Sequence, residues 1–237
     1  MLTIVTWLWT GTTLTHRAFE PFHVNVLQRM FERHLKVAHR VVCITDEMRT
    51  GFSSAVHAIV EPPAAATLGR LPSPEGGRFP SCYRRLWLFS DEARHYVGDR
   101  VLSVDIDLVL TGDITHLDRD HDFVGWLPKM QWGKIGRYGG GLFLLKTGAR
   151  RRVWDEFSGA VSIARARQAG FRGSDQAWMS FTLGPSETVW GGSDGLYSIR
   201  DMAEGARPLP ADARLVQFNG PVKPWQSSLP WVRDNWR

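Results

Sequence analysis

At 237 residues and 43% hydrophobic content, the chain is long enough to bury one substantial core and falls in the size range of a single α/β domain. Its 29 Lys and Arg against 24 Asp and Glu give a formal charge of +5, which admits an anionic partner. The densest basic runs, Arg84-Arg85 and Arg150-Arg151-Arg152, lack the long tract of a nucleic-acid arm, so no specific nucleic-acid partner is expected.

Cys43 and Cys82 stand apart, without a CxxC or Cys/His cluster; they indicate neither a zinc site nor a disulfide framework and fit a reducing cytoplasm. The apolar run over residues 1–9 has no basic leader and is too short to span a bilayer, so it reads as a strand over 2–7, with no transmembrane segment expected. Gly11-Thr12-Thr13 breaks it, and Phe22, Val26, Leu27, Met30 and Phe31 then recur at helical spacing. A second buried-type strand over 40–45, with Asp46-Glu47 at its turn, makes a parallel βαβ unit.

Pro62, Pro63, Pro72, Pro74 and Pro80, interspersed with Gly69, Gly76 and Gly77, predict a long surface loop over 61–80. Next come a helical Tyr83–Phe89, a strong strand over 100–110 ended by Thr111-Gly112-Asp113, and an apolar strand over 141–146. A helix over 153–166, another opened by Ser174-Asp175, and a Pro- and Trp-rich tail over 221–236 complete the chain. Alternating elements of this kind predict an α/β fold with a mostly parallel central sheet flanked by helices, one domain over 1–237 and no internal repeat.

Chemistry concentrates in the strand over 100–110, where Asp105 and Asp107 interrupt apolar residues at spacing two. On a strand both would project from one face, with Ile106 on the other. Uncompensated, the two anions repel; a divalent cation turns them into an oxygen-ligand pair that can also hold a diphosphate. The same pair also suits a solvated strand end. Downstream, in Gln217-Phe218-Asn219-Gly220-Pro221-Val222-Lys223-Pro224-Trp225, a glycine-proline turn presents Lys223 between two rigid prolines, a placement that suits a phosphate.

The Asp-x-Asp, the Ser174-Asp175-Gln176 triplet and the Phe218-to-Trp225 segment, in that order, resemble the family 8 glycosyltransferases, which include glycogenin and bacterial lipopolysaccharide sugar transferases. The similarity runs thinly from residue 1 to about residue 225. It implies a single Rossmann-like GT-A domain, in which 1–115 form the nucleotide-sugar-binding half and 116–237 the acceptor side with the C-terminal metal and diphosphate segment. It also implies a UDP-sugar donor, Mn²⁺ or Mg²⁺ as cofactor, retention of anomeric configuration, and a glycan, lipid-linked sugar or protein acceptor.

By that resemblance Thr6, Trp7 and Leu8 hold the nucleobase, Asp105 touches ribose and metal, and Asp107 binds metal. Lys223 and Gly220 cradle the diphosphate, Arg85 is a basic donor contact, and Asp175 and Gln176 lie near the sugar. With Lys223, these last two form the catalytic set. The family's third metal ligand is a His where Gln217 stands, and a neutral amide oxygen is a weaker ligand for Mn²⁺ than imidazole. Gly139 replaces a family Asn in Tyr138-Gly139-Gly140-Gly141, where glycines either let backbone approach a ligand or simply turn the chain.

Other readings stand beside these. Ser174 or Asp175 also suits a helix N-cap. Trp126 and Trp132, around Pro128-Lys129-Met130, suit either sugar stacking or core packing, and the segment 126–137 with the tail would form the acceptor side. The eight histidines show no HxxxH or HxH spacing. A sugar nucleotidyltransferase would share scaffold and metal, but Gly11-Thr12-Thr13 is a poor match to its phosphate loop. A non-catalytic nucleotide-sugar or glycan-binding relative would explain Gln217 and Gly139.

Overall fold

The computed structural model describes residues 1–11, 19–76, 81–128, 138–202 and 208–237. The expectations placed on Thr12, Thr13, His16, Gly77, Pro80, Lys129, Met130, Trp132 and the remainder of 129–137 lie outside the described residues.

Strand β1 (Leu2–Leu8) leads through helix α1 (Pro21–His34) to β2 (His39–Thr45), and β3 (Val56–Val60) follows. After α2 (Pro63–Gly69), the 3₁₀ helix Tyr83–Phe89 and α3 (Ala93–Val97) come β4 (Arg100–Val104), β5 (Leu108–Leu110), β6 (Phe123–Trp126) and β7 (Gly139–Lys146). Helices α4 (Arg152–Asp155), α5 (Ala160–Gln168) and α6 (Asp175–Leu183) precede β8 (Thr188–Trp190), β9 (Leu196–Ser198), β10 (Leu215–Gln217) and α7 (Pro230–Asn235).

The central sheet has the order β3-β2-β1-β4-β7-β6-β8. β1 runs parallel to β2 and β4, β2 parallel to β3, and β6 parallel to β8, while β7 is antiparallel to both β4 and β6. A small second sheet, β5-β10-β9, lies beside it. This is the α/β architecture with a mostly parallel sheet expected from the sequence, and strands from both sides of residue 115 build the one central sheet.

Both faces of that sheet are covered, which is why β1 is a continuous apolar run. Leu2, Ile4 and Leu8 pack with Val24, Leu27, Met30 and Phe31 of α1 on one face. Val5 and Trp7 point the other way, among Trp87, Phe89, Trp178 and Leu183. Phe22, read from its spacing as part of the apolar stripe of α1, is instead 54% exposed, because it sits at the helix start and at the edge of that stripe.

Three expectations are corrected. The Pro-rich segment 61–80 holds α2, with Pro62 as its N-cap and Pro63 in its first turn; proline breaks helix interiors but is favoured where the first amides have no partner. The predicted helix over 153–166 is two helices, α4 and α5, parted at Gly159 with φ of 60°. The strand over 100–110 is β4 and β5, which belong to different sheets, so Asp105 and Asp107 lie in the bend between them.

The chain has 2 cysteines, Cys43 and Cys82, both buried and neither in a disulfide. No helix among the described residues is long and apolar enough to cross a membrane.

Candidate functional site

In an open sheet of parallel strands, a crevice forms outside the carboxyl ends of two neighbouring strands whose connections leave in opposite directions. Here that point lies between β1, whose chain continues to β2 on one side, and β4 on the other. Trp9 and Thr10 follow β1, and Asp105 follows β4.

The Asp-x-Asp owes its position to a change of partner. The Asp105 amide donates to Gly141 O at 2.9 Å, the last rung between β4 and β7. Two residues later the Phe218 amide donates to Asp107 O at 2.7 Å, and the backbone enters the small sheet through β5 and β10. Both carboxylates therefore face one cluster from a joint between two sheets, where strand alternation no longer applies.

Within that cluster Arg85, carried by the 3₁₀ helix, forks between two acids. Its Nη1 donates to Asp105 Oδ1 at 2.6 Å, and its Nε lies 2.7 Å from Asp175 Oδ2. Burial opposes the charge on Arg85, yet Asp175 and Asp105 hold its guanidinium well above the ordinary range. Asp175 opens α6 and is buried; desolvation raises its carboxyl, with Arg85 pulling the other way. Its neighbour Ser174 makes no side-chain cap; its hydroxyl accepts from the Cys82 amide at 3.1 Å and donates to Asp175 Oδ1 at 3.2 Å.

Lys223, expected to stand open between its prolines, is instead buried, with Nζ 2.5 Å from Asp107 Oδ2 and 3.5 Å from Phe218 O. Desolvation raises the Asp107 carboxyl, Lys223 lowers it and Asp105 adds to the rise. Gln217, on β10, donates through Nε2 to Asp105 Oδ2 at 2.8 Å, while its Oε1 is buried with no hydrogen-bond partner among the described residues.

The glycines at the start of β7 form the floor. A Cβ on Gly141 would overlap Gln217 Nε2 and Asp105 Oδ2, and one on Gly140 would come within 3.0 Å of Arg85 Nη2 and Asp175 Oδ2. The Gly140 amide lies 3.4 Å from Gln176 Oε1. These glycines are thus close-approach positions for the charged cluster. At Gly220, among the described residues, a Cβ would meet only Arg200 Nε, at 4.0 Å, so none of them sterically demands glycine there.

Thr6, Trp7 and Leu8 are 0%, 5% and 1% exposed, so their side chains serve the core and only their backbone can reach a ligand. Their neighbours along the chain carry the polar equipment that the sequence reading passed over. The Thr10 amide donates to Asp46 Oδ2 at 2.7 Å, Arg49 pairs with Asp46 at 2.7 Å, and the Arg84 guanidinium lies 4.7 Å from the centre of the Trp9 ring while also pairing with Glu61. Trp126 is a core residue at 2% exposure. The signal that could have found Thr10, Asp46, Arg49 and Glu61 is position alone, since they follow the carboxyl ends of the parallel strands β1, β2 and β3.

Among the described residues, no group of three His, Cys, Asp or Glu side chains is arranged to hold a metal ion. Asp105, Asp107 and Gln217 nevertheless offer two carboxylates and one orphaned buried amide oxygen, an all-oxygen set of the kind that suits Mg²⁺ or Mn²⁺.

The sequence matches no protein-family model and no curated protein. Among solved structures, the galactosyltransferase LgtC in complex with donor and acceptor sugar analogues superposes with a TM-score of 0.63 at 16% identity, over 98% of this chain and 93% of that one. An active-site mutant of LgtC gives 0.60 at 15% identity, over 96% and 91% of the two chains. The glycosyltransferase GlyE of Streptococcus pneumoniae TIGR4 gives 0.59 at 13% identity, over all of this chain and 62% of its own. The chain therefore shares the GT-A fold of these glycosyltransferases nearly from end to end.

Proposed function

We propose that the chain is a retaining glycosyltransferase that moves a hexose from a UDP-sugar to a glycan, lipid-linked sugar or protein acceptor with the help of Mn²⁺ or Mg²⁺. The observation that carries this reading is the cluster of Arg85, Asp105, Asp107, Asp175 and Lys223 at the switch point of a fold shared with LgtC and GlyE.

Asp105, Asp107 and the Gln217 amide oxygen would hold the cation, which when bound supplies positive charge to the departing nucleoside diphosphate. Lys223 and the backbone near Gly220 would hold the diphosphate. As the bond from the sugar to the phosphate breaks, negative charge grows on the leaving group, and a fixed cation such as Lys223 contributes about 3 kcal/mol to that step. Arg85 orients Asp175 and opposes the rise that burial gives its carboxyl. Asp175 then faces the positive charge that develops on the sugar, with Gln176 beside it to hold a hydroxyl. LgtC has an active site studied by mutation and was crystallised with both sugar analogues, which supports reading this crevice as the donor site.

The test is release of UDP from a panel of UDP-sugars with Mn²⁺ present or chelated, in the native protein and in Asp175→Asn. Metal-dependent release that falls at least about 100-fold in the variant is expected. Tight UDP-sugar binding with no release from any donor would replace this reading by that of a non-catalytic nucleotide-sugar-binding relative.

A further inference from the structure

We infer that Lys223 is an internal counter-ion of the Asp-x-Asp, which occupies Asp107 in the nucleotide-free protein and yields it to a divalent cation only when a diphosphate arrives to receive the ammonium. The inference rests on the donor-site reading above and adds an order of events to it.

The geometry is specific. Lys223 Nζ sits 2.5 Å from Asp107 Oδ2, with the lysine and aspartate side chains only 7% and 9% exposed. Among the described residues, Phe218 O at 3.5 Å and the face of Phe19, with its centre 5.5 Å away, also lie beside the ammonium. The backbone at Lys223 is fixed: its amide donates to Gln226 Oε1 at 3.0 Å, and Pro224 follows it. The side chain therefore changes partner from an anchored root.

Charge decides what can enter. A divalent cation alone must displace the ammonium from Asp107 and leave it buried without its carboxylate, and an unpaired buried charge is costly. A diphosphate alone that draws the ammonium to itself leaves the Asp107 carboxylate buried without its cation. When both arrive, Asp107 exchanges one cation for another, and Lys223 exchanges a carboxylate for a phosphate. Asp105 differs from Asp107 in this respect: at 33% side-chain exposure it forms the open rim where a cation first makes contact. Cation and nucleotide thus assist each other, and by linkage each raises the affinity of the other by the same factor.

The experiment measures Mn²⁺ binding through the electron paramagnetic resonance signal of free Mn²⁺, with and without saturating UDP, in the native protein, Lys223→Met and Lys223→Gln. The glutamine retains a neutral donor for Asp107, and circular dichroism checks that each variant is folded. In the native protein UDP should tighten Mn²⁺ binding at least about 10-fold, inside the roughly 5- to 150-fold range of ordinary couplings. Without nucleotide, both variants should bind Mn²⁺ at least about 5-fold more tightly than the native protein, and the effect of UDP should shrink toward none.

Unchanged nucleotide-free Mn²⁺ affinity in folded variants would overturn the inference, as would UDP that binds the native protein without altering its Mn²⁺ affinity. If UDP binds no form, the donor-site reading fails. The variants then decide the counter-ion role by themselves: a gain in Mn²⁺ affinity supports it and no gain overturns it. If neither variant folds, the native coupling decides, and its absence overturns the inference.

Discussion

Arg85 shows how much one side chain carries. It is buried and shared by Asp105 and Asp175, so Arg85→Met leaves two carboxylates facing each other without a cation. The expected cost is about 3–5 kcal/mol in urea unfolding, with part of it recovered when Asp175→Asn is added; a variant as stable as the native chain would show that the pair is not structurally important. Gly141 makes the complementary point. Its backbone accepts ordinary side chains, since its φ is not positive, but a Cβ there occupies the space of Gln217 Nε2 and Asp105 Oδ2. Gly141→Ala should leave the thermal midpoint within a few degrees while weakening UDP binding in Mn²⁺ at least about 10-fold, measured by calorimetry. The residue types at these positions are legible in the sequence: Asp105, Asp107, Asp175, Gln217 and Lys223 all stand in recognisable motifs. What they touch is not, because the pairing of residue 217 with residue 108 is a long-range register that no local pattern encodes.

At the scale of elements, several apolar segments agree with expectation, whereas the predicted strand over 100–110 and helix over 153–166 each divide in two and the short strands β8, β9 and β10 were not anticipated. β1, β2, β7, α1 and α6 are each set by a run of buried apolar residues. β8, β9 and β10 have three residues each, too few for an alternation to stand out, and they form because neighbouring backbone offers partners. The joint between β4 and β5 was hidden for the opposite reason. Its flanks are uninterrupted apolar strand sequence, and only the demands of two sheets separate them. Helix α1 also anchors the C-terminal tail, and pH should reveal it. The His23 ring stacks 4.0 Å from Trp225, its Nδ1 accepts from the Glu20 amide at 2.8 Å, and Arg33 at the other end of the helix donates to Asn235 O at 2.7 Å. Burial lowers the His23 pKa from 6.5, with Glu20 opposing, so the unfolded chain takes up the proton more readily. Stability from this contact is full above the unfolded value of 6.5 and is lost progressively as pH falls below it toward the lowered folded value. The urea midpoint should drop from about pH 7.5 to about pH 5.5, and His23→Gln should reduce that drop; an equal drop in both proteins would remove His23 as its source.

Across the whole molecule, the topology explains why scattered residues converge. Crossing from β1 to β2 on one side and placing β4 on the other opens a crevice at their carboxyl ends. The reversed strand β7 begins at that same edge and brings its glycines under the cluster, and the small sheet returns Gln217 and Lys223 to it from more than a hundred residues downstream. The measurement that tests the central claim most directly is calorimetric titration of the protein with UDP and with GDP, each with and without Mn²⁺, repeated on Asp107→Asn. The account predicts UDP binding that is strengthened by Mn²⁺, exceeds GDP binding and loses its metal dependence in Asp107→Asn; binding of neither nucleotide in any condition would contradict it.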